Sequence, residues 1–190
     1  MPCVTRVPEP SRDQLSPDGQ AVFDRIAATR GGIRGPYGVL LHHPELADRV
    51  AALGEQLRFR SLLASADREL AILAAGREAE ALYEWAAHEP IARREGTRAE
   101  AIAVVRDRRG TDGLAPREGV IVDTVRSLFR EHRLTDAQYA RAEGELGRAA
   151  LLELVTLAGY YGMVAFVLNA FEVDLPAGAT PAFPRRRASA

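Results

Sequence analysis

The feature that most constrains the fold is a long apolar segment near the C-terminus, from Leu154 to Phe171, that carries no formal charge. Its length is close to the minimum for a membrane-spanning helix, roughly 17 to 25 residues. However, Thr156, Asn169 and the tetrapeptide Gly159-Tyr160-Tyr161-Gly162 interrupt it. A helix that is apolar on every side must also be covered on every side. We therefore predict the core helix of a soluble protein that self-associates, and we expect no membrane partner.

Helix start signals divide the rest of the chain into further helices. They predict starts at the Ser16-Pro17 N-cap, Pro44, the Ser65 N-cap, the capping box Thr97-Arg98-Ala99-Glu100, Pro116, and the capping box Thr135-Asp136-Ala137-Gln138. In the helix that begins at Pro44, four residues at spacings of four and three predict one buried stripe: Leu46, Val50, Leu53 and Leu57. No stretch alternates polar and apolar residues as a strand would. The predicted fold class is therefore all-α.

Length and charge favour one domain of ordinary size. A chain of 190 residues is long enough to bury a core without disulfides or metals. We predict an N-terminal arm over residues 1–15, a helical domain over 16–175, and a flexible C-terminal tail over 176–190 that lies outside the core. The net charge of −1 provides no basic field that would attract nucleic acid.

The N-terminal arm bears on location. Residues 1–10 lack the apolar segment of a secretory signal, which predicts a cytoplasmic protein. The only cysteine, Cys3, lies in this arm, and a lone thiol suits a reducing compartment. We interpret Cys3 as an incidental unpaired thiol.

The stretch Tyr83-Glu84-Trp85-Ala86-Ala87-His88 indicates proton-transfer chemistry. Residues four apart on a helix share a face, so Glu84 and His88 can touch. A carboxylate beside an imidazole holds it in one tautomer and raises its basicity. Without further information, such a pair is often only a surface contact.

Two segments resemble the carboxymuconolactone decarboxylase and alkylhydroperoxidase AhpD-like superfamily: Arg68 to Ala74, and Tyr83 to Pro90. The resemblance implies an AhpD-like helical fold with a single domain, assembled as a homotrimer or homohexamer. It also implies that Glu69 meets the Glu84 and His88 pair through tertiary packing. Glu69, Glu84 and His88 are therefore the predicted catalytic residues.

The redox branch of that superfamily is built on a Cys-x-x-Cys motif followed four residues later by His, with a Glu upstream. Aligning that Glu on Glu69 and that His on His88 assigns the two cysteine positions to Ala81 and Glu84. Since a thiolate is the nucleophile in peroxide and disulfide exchange, this chain cannot run that cycle. The remaining pattern resembles the decarboxylase branch.

By resemblance, the chain is a cofactor-independent carboxy-lyase that acts on a small acidic lactone or keto acid. His88 would protonate a carbon of the substrate. Glu84 and Glu69 would orient the imidazole and return a proton to it. General acid catalysis of this kind contributes on the order of 10²- to 10⁴-fold. Two alternatives remain: a related proton-transfer isomerase or dehydratase, and a non-catalytic helical protein that binds a ligand.

Four further residues are candidates for binding a small anionic organic substrate: Arg34, Tyr37, Trp85 and His42. Arg34, in a Gly-rich turn before Tyr37, could hold an anion through a bidentate contact. Trp85 could contact substrate or only pack, and His42 could contribute to the site or only cap the next helix. The histidines and acids lack metal-ligand spacing, and no nucleotide-binding motif occurs, so we expect neither metal nor cofactor.

Overall fold

The structure is a computed structural model that describes residues 5–184, and over this range the chain is all-helical, as predicted. A single 3₁₀ turn at Arg12–Gln14 precedes the first α-helix. The nine α-helices of the described range are α1 Pro17–Arg30, α2 Pro36–Leu40, α3 Pro44–Phe59, α4 Ser65–Glu78, α5 Leu82–Arg94, α6 Ala99–Arg106, α7 Pro116–Arg130, α8 Asp136–Leu146 and α9 Arg148–Ala170.

Local capping determines where several of these helices begin and end. The Ser16 hydroxyl accepts a hydrogen bond from the Gly19 amide at 3.2 Å, and Gly31 ends α1 in the left-handed conformation. At the start of α8, the Thr135 hydroxyl and the Gln138 side chain each accept the other's backbone N–H, at 3.2 and 2.9 Å. The predicted starts at these two caps are confirmed.

Two predicted caps are wrong because a neighbouring element changes the outcome. Ser65 is the first residue of α4, whereas Ala64 occupies the N-cap and offers no side-chain hydrogen bond. Thr97 donates its hydroxyl to the Ala66 carbonyl of α4 at 3.0 Å, so Arg98 is the N-cap of α6. A tertiary hydrogen bond has therefore replaced the predicted local one.

The described chain divides into two compact units, of which the first comprises residues 5–60 and 166–174. In this unit, α1 and α2 both pack against α3. Only half of the stripe predicted for α3 is buried, since Leu46 and Leu53 are 47% and 44% exposed. The buried face of α3 is shifted from the predicted stripe and consists of Ala47, Val50, Gly54 and Leu57.

In the second unit, residues 61–165 and 175–184, α4 is the central helix. It packs against α5, α6 and α7, and every residue from 69 to 76 is buried. A Cβ added at Gly76 would lie 3.3 Å from the Glu84 Cβ, so glycine allows α5 to approach α4 closely. The turn between them passes through Glu80 in the left-handed conformation, with φ of 55°. This tight connection brings the first turns of α5 alongside α4.

Helix α9 contains all but the last residue of the predicted apolar segment and begins earlier, at Arg148. Among residues 5–184 it is the helix that is long and apolar enough to cross a membrane by length and composition, but most of its apolar stretch is buried. The core helices of soluble proteins have the same properties. A Cβ added at Gly162 would lie 3.2 Å from Phe129, so α9 and α7 approach closely at this glycine.

The described part of the C-terminal segment differs from the predicted tail. Phe183 is buried, and its ring contacts Trp85 edge to face with centroids 5.8 Å apart. The Arg77 guanidinium lies over the other side, 4.3 Å from the ring centroid. Burial of an aromatic side chain retains this segment in the second unit. The predicted arm thiol, Cys3, and residues 185–190 lie outside the described range.

Candidate active site

The predicted pair of Glu69 and His88 is in direct contact inside the second unit. The Oε2 atom of Glu69, on α4, is 2.7 Å from Nδ1 of His88, on α5. The two side chains are only 1% and 7% exposed. A hydrogen bond to a buried imidazole fixes its ring orientation and its tautomer. His88 is therefore held rigidly, with its Nε2 atom directed away from Glu69.

Glu84 contacts the opposite side of the same ring. Its Oε2 atom is 3.4 Å from Nε2 of His88, one helical turn away on α5, and its side chain is 5% exposed. The predicted i, i+4 contact is present. The imidazole thus lies between two carboxyl groups, one at each ring nitrogen.

Two protonation states of the three groups would place a donor at each contact. A neutral imidazole donates from one nitrogen and accepts at the other, whereas its cation donates from both. Either a cationic His88 between two carboxylates, or a neutral His88 with one protonated carboxyl group, supplies a donor at each contact. In both cases the three groups carry a net charge of −1. The proton can therefore move between His88 and a carboxyl group without changing the charge of the cluster.

Arg68 supplies the compensating positive charge. Its Nε atom is 3.7 Å from Oε1 of Glu69, and its side chain is 13% exposed. Sequence reasoning missed Arg68 as a site residue, although its position immediately before Glu69 in the quoted motif could have identified it.

An aromatic residue of α9 covers the imidazole. The Tyr161 ring lies edge to face with His88, with centroids 5.3 Å apart, and Tyr160 contacts Tyr161 in the same way. Both tyrosines are buried. The apolar surface of this ring shields the His88 imidazole from bulk solvent. This contact was not predicted, because it depends on tertiary packing.

Trp85 lines a cavity whose walls include none of Glu69, Glu84 and His88. The cavity has a volume of about 460 Å³, and its walls come from α5, from α6 and from the C-terminal segment: Trp85, Ala86, Glu89, Ile102, Arg106, Gly178, Ala179, Thr180 and Ala182. This volume is sufficient for a small organic molecule. Trp85 as a substrate contact stays a prediction.

The other predicted substrate-binding residues belong to the first unit, where each has local partners. Arg34 is exposed and donates to the Gly31 carbonyl at 3.0 Å. Tyr37 is buried, with the Arg30 guanidinium over its ring, and His42 contacts the Pro8 carbonyl through Nε2 at 2.8 Å. His43, rather than His42, caps α3. Substrate binding by Arg34, Tyr37 and His42 stays a prediction.

Among residues 5–184, no group of three or more His, Cys, Asp or Glu side chains has the geometry of a metal site.

The comparisons with known proteins bear directly on this cluster. The model of the carboxymuconolactone decarboxylase family matches residues 44–122, which include Glu69, Glu84 and His88. Residues 44–122 are therefore similar to the carboxymuconolactone decarboxylase family. The resemblance first recognised from the quoted motifs is thereby confirmed.

Two solved structures share the fold of this chain over most of its length. One is described as an alkylhydroperoxidase AhpD core, an uncharacterized peroxidase-related protein from Ralstonia eutropha JMP134, with a TM-score of 0.76, 16% identity, and coverage of 90% of this chain and 92% of that chain. The other is an uncharacterized peroxidase-related protein from Silicibacter sp. TM1040, with a TM-score of 0.72, 18% identity, and coverage of 91% and 92%. None of the curated proteins matches the chain. At these identities the likeness establishes an AhpD-like fold and nothing about the reaction.

Proposed function

We propose that this protein is a cofactor-independent carboxy-lyase that decarboxylates a small acidic lactone or keto acid by proton transfer through Glu69, His88 and Glu84. The observation that carries the proposal is the buried 2.7 Å contact between Glu69 and His88, with Glu84 at the other ring nitrogen. The match of residues 44–122 to the model of the carboxymuconolactone decarboxylase family supports it.

The reaction requires a substrate that can accept an electron pair. The bond between carbon and the departing carboxylate breaks, carbon dioxide leaves, and the electron pair enters a conjugated carbonyl to form an enolate. The enolate carbon then takes a proton from the end of the relay formed by His88 Nε2 and Glu84. Glu69 stabilises the protonated imidazole through Nδ1, and solvent restores the proton to the relay.

Preorganisation supports this role for the cluster. His88 does not need to rotate before it donates, because Glu69 already holds the ring, and Tyr161 limits the access of water. Fixed donors in a dry site stabilise developing charge more effectively than the same groups in water. Positioning of the substrate supplies a further part of the acceleration.

Thiol peroxidase chemistry is not proposed, although both similar structures are named as peroxidase-related. The two positions that carry the redox cysteines in that branch are Ala81 and Glu84 in this chain. A carboxyl group cannot replace a thiolate in attack on a peroxide. Position 84 of this chain therefore has a group that can carry a proton, whereas the redox branch has a nucleophilic thiol at the equivalent position.

A second candidate is an isomerase or dehydratase that uses the same residues. The contact of His88 with a carboxyl group at each ring nitrogen favours it, because one side can remove a proton while the other returns one. Such an enzyme would exchange substrate hydrogen with solvent and release no carbon dioxide.

The test incubates the full chain with a panel of carboxylated lactones and β-keto acids in deuterium oxide. Carbon dioxide release, with deuterium on the carbon that lost the carboxylate, supports the lyase. Deuterium incorporation or water loss without carbon dioxide supports the isomerase or dehydratase. Saturable binding without turnover, unchanged in His88→Asn, would identify a non-catalytic binding protein and reject both enzymes.

A further inference from the structure

The described part of the C-terminal segment, residues 175–184, is held on the second unit mainly by one side chain. Phe183 is 7% exposed, and its ring contacts Trp85 edge to face with centroids 5.8 Å apart. The Arg77 guanidinium lies 4.3 Å from the centroid of the same ring. Phe183 is therefore packed between an aromatic ring and a cation.

Polar contacts do not add to this attachment. Within the segment, the Ala179 amide donates to the Pro176 carbonyl at 2.9 Å, which is a local turn. Among residues 5–184, no hydrogen bond or ion pair joins the segment to another element. A segment with few anchoring contacts opens locally at a low cost in free energy. Loss of the Phe183 contact would therefore release it.

The segment forms one wall of the cavity of about 460 Å³ that Trp85 lines. The other walls come from α5 and α6. Gly178 has φ of 78°, a left-handed conformation that glycine adopts without strain, and the chain turns there. The segment wall consists of Gly178, Ala179, Thr180 and Ala182. Release of the segment would therefore open the cavity on this side.

Both charged residues on the α5 and α6 walls have partners of their own. Glu89 accepts a hydrogen bond from Arg93, one turn later on α5. Arg106 donates to the two carboxylate oxygens of Asp107 at 2.8 and 3.0 Å. An ionised ligand would meet no unpaired opposite charge on these walls, so transfer of its charge from water would be unfavourable. The cavity therefore favours a neutral ligand.

The rest of these walls combines apolar surface with one hydrogen-bond acceptor. Trp85 and Ile102, which are both buried, provide an aromatic and an aliphatic surface. Ala86 also lines the cavity, and its carbonyl lacks the usual helical donor because Pro90, four residues later, has no N–H. Pockets of this composition bind a ring by apolar contact and orient it through a few polar groups.

We propose that this cavity binds a small neutral aromatic compound with one O–H or N–H donor, of the phenol class, and that residues 175–184 are its lid, held closed by Phe183. The site is separate from the relay of Glu69, His88 and Glu84, because none of these residues lines it. The inference therefore does not depend on the proposed function. Since the lid supplies one wall, the closed form binds the ligand more tightly than the open form.

The experiment uses Trp85, the single tryptophan of the chain, as a fluorescent reporter while the full chain is titrated with phenol. The excitation wavelength is one that phenol does not absorb. We expect a saturable change in Trp85 emission. Benzoate, which has a carboxylate in place of the hydroxyl, should bind about tenfold more weakly because its charge has no partner in the cavity.

Two substitutions on α5 test the cavity and its acceptor. Ala86→Leu fills the cavity with a residue that favours helix, so it should abolish the change caused by phenol while Trp85 stays shielded from acrylamide. Pro90→Ala returns an N–H donor to the Ala86 carbonyl. This donor competes with the phenol hydroxyl, so the affinity should fall roughly fivefold, the value of one neutral hydrogen bond.

Phe183→Ser tests the lid. Trp85 emission should move to longer wavelength, and acrylamide should quench it more strongly. Phenol affinity should fall about tenfold if the closed lid becomes populated only about a tenth of the time. Phe59→Ser, which changes an exposed phenylalanine on α3, is the control and should leave all three quantities unchanged.

The ligand site is overturned if phenol causes no saturable change in Trp85 emission, if benzoate binds as tightly as phenol, or if Ala86→Leu keeps the wild-type affinity. Unchanged phenol affinity in Pro90→Ala would overturn the role of the donor. Unchanged acrylamide quenching of Trp85 in Phe183→Ser would overturn the lid.

Discussion

The Glu69 carboxylate and the His88 imidazole come from two different helices and meet at 2.7 Å, both almost completely buried. Nineteen positions of sequence separate them. Their contact depends on the close packing of α4 and α5 at Gly76. Every functional expectation for this chain depends on that contact, because it holds the imidazole ring in place.

The first prediction concerns the proton capacity of Glu69. Glu69→Gln can still hydrogen bond to His88, but it cannot carry negative charge or take a proton. We expect turnover to fall on the order of 10²-fold, in line with the loss of one acid–base group. The measurement is kcat for carbon dioxide release, with circular dichroism to verify folding. Wild-type kcat in a folded Glu69→Gln would remove Glu69 from the mechanism.

The second prediction tests the assignment of the redox positions. In a Cys3→Ser background, Ala81→Cys with Glu84→Cys would place two thiols three residues apart at the start of α5. We expect mild oxidation to join them, because thiols near a helix N-terminus ionise readily. Mass spectrometry should detect the loss of two hydrogens and of both titratable thiols. Two persistent free thiols after oxidation would show that these positions are not equivalent to the redox motif.

Much of the helix pattern was predictable because its causes are local. Proline geometry and capping hydrogen bonds act within a few residues, so the starts of α1 after the Ser16 N-cap, α7 at Pro116 and α8 after the Thr135 N-cap followed from sequence. Thr97 failed as a cap because its hydroxyl donates to Ala66 across the fold. Phe183 was assigned to a flexible tail because nothing in its neighbourhood identifies Trp85 as its partner.

The candidate site was predictable to a similar degree and for the same reason. Helical spacing alone places Glu84 beside His88. The contact of Glu69 with His88 was predicted only from the family resemblance, because the positions of the two residues in the sequence give no geometric reason for it. Tyr161 and Arg68 required tertiary packing, which a single sequence does not specify.

The third prediction concerns pH and the ion pair between Arg98 and Glu118. The Arg98 guanidinium holds the pKa of Glu118 below its usual value of 4.5, and the Ala115 amide lowers it further, whereas partial burial opposes both. A lowered folded-state pKa contributes stability above the unfolded-state pKa and loses it as pH falls through the folded-state pKa. Glu118→Gln should therefore unfold at a lower temperature than wild type near neutral pH.

That difference should shrink as the pH falls below 4.5 and through the folded-state pKa, and thermal unfolding across this range measures it. Glu131→Gln, an exposed position at the end of α7, is the matched control and should stay close to wild type throughout. A Glu118→Gln deficit that is independent of pH would show that the charge of Glu118 does not cause the change.

The fourth prediction concerns the expected homo-oligomer, which we retain as a proposal. Leu152 and Phe166 on α9 are 68% and 65% exposed. With Thr156, Gly159 and Met163 they recur at spacings of four and three, which is typical of a seam between two helices. A Cβ added at Gly159 would meet nothing within 4 Å, so a second helix of another copy could approach closely there.

Leu152→Ser should therefore lower the molar mass of the assembly in sedimentation or light scattering. Leu46→Ser, another half-exposed leucine, is the control and should leave that mass unchanged. If Leu46→Ser dissociates the assembly instead, the contact between copies lies on α3. A monomeric wild type would exclude the homotrimer and homohexamer together.

The central claim is that His88 carries the proton that completes decarboxylation, and one pair of substitutions tests it most directly. The measurement is the rate of carbon dioxide release, with a substrate that the wild type turns over, for His88→Asn and for His132→Asn, which changes an exposed histidine at the end of α7. The account predicts a loss on the order of 10²- to 10⁴-fold for His88→Asn, and a wild-type rate for His132→Asn. A wild-type rate of carbon dioxide release in folded His88→Asn would contradict it.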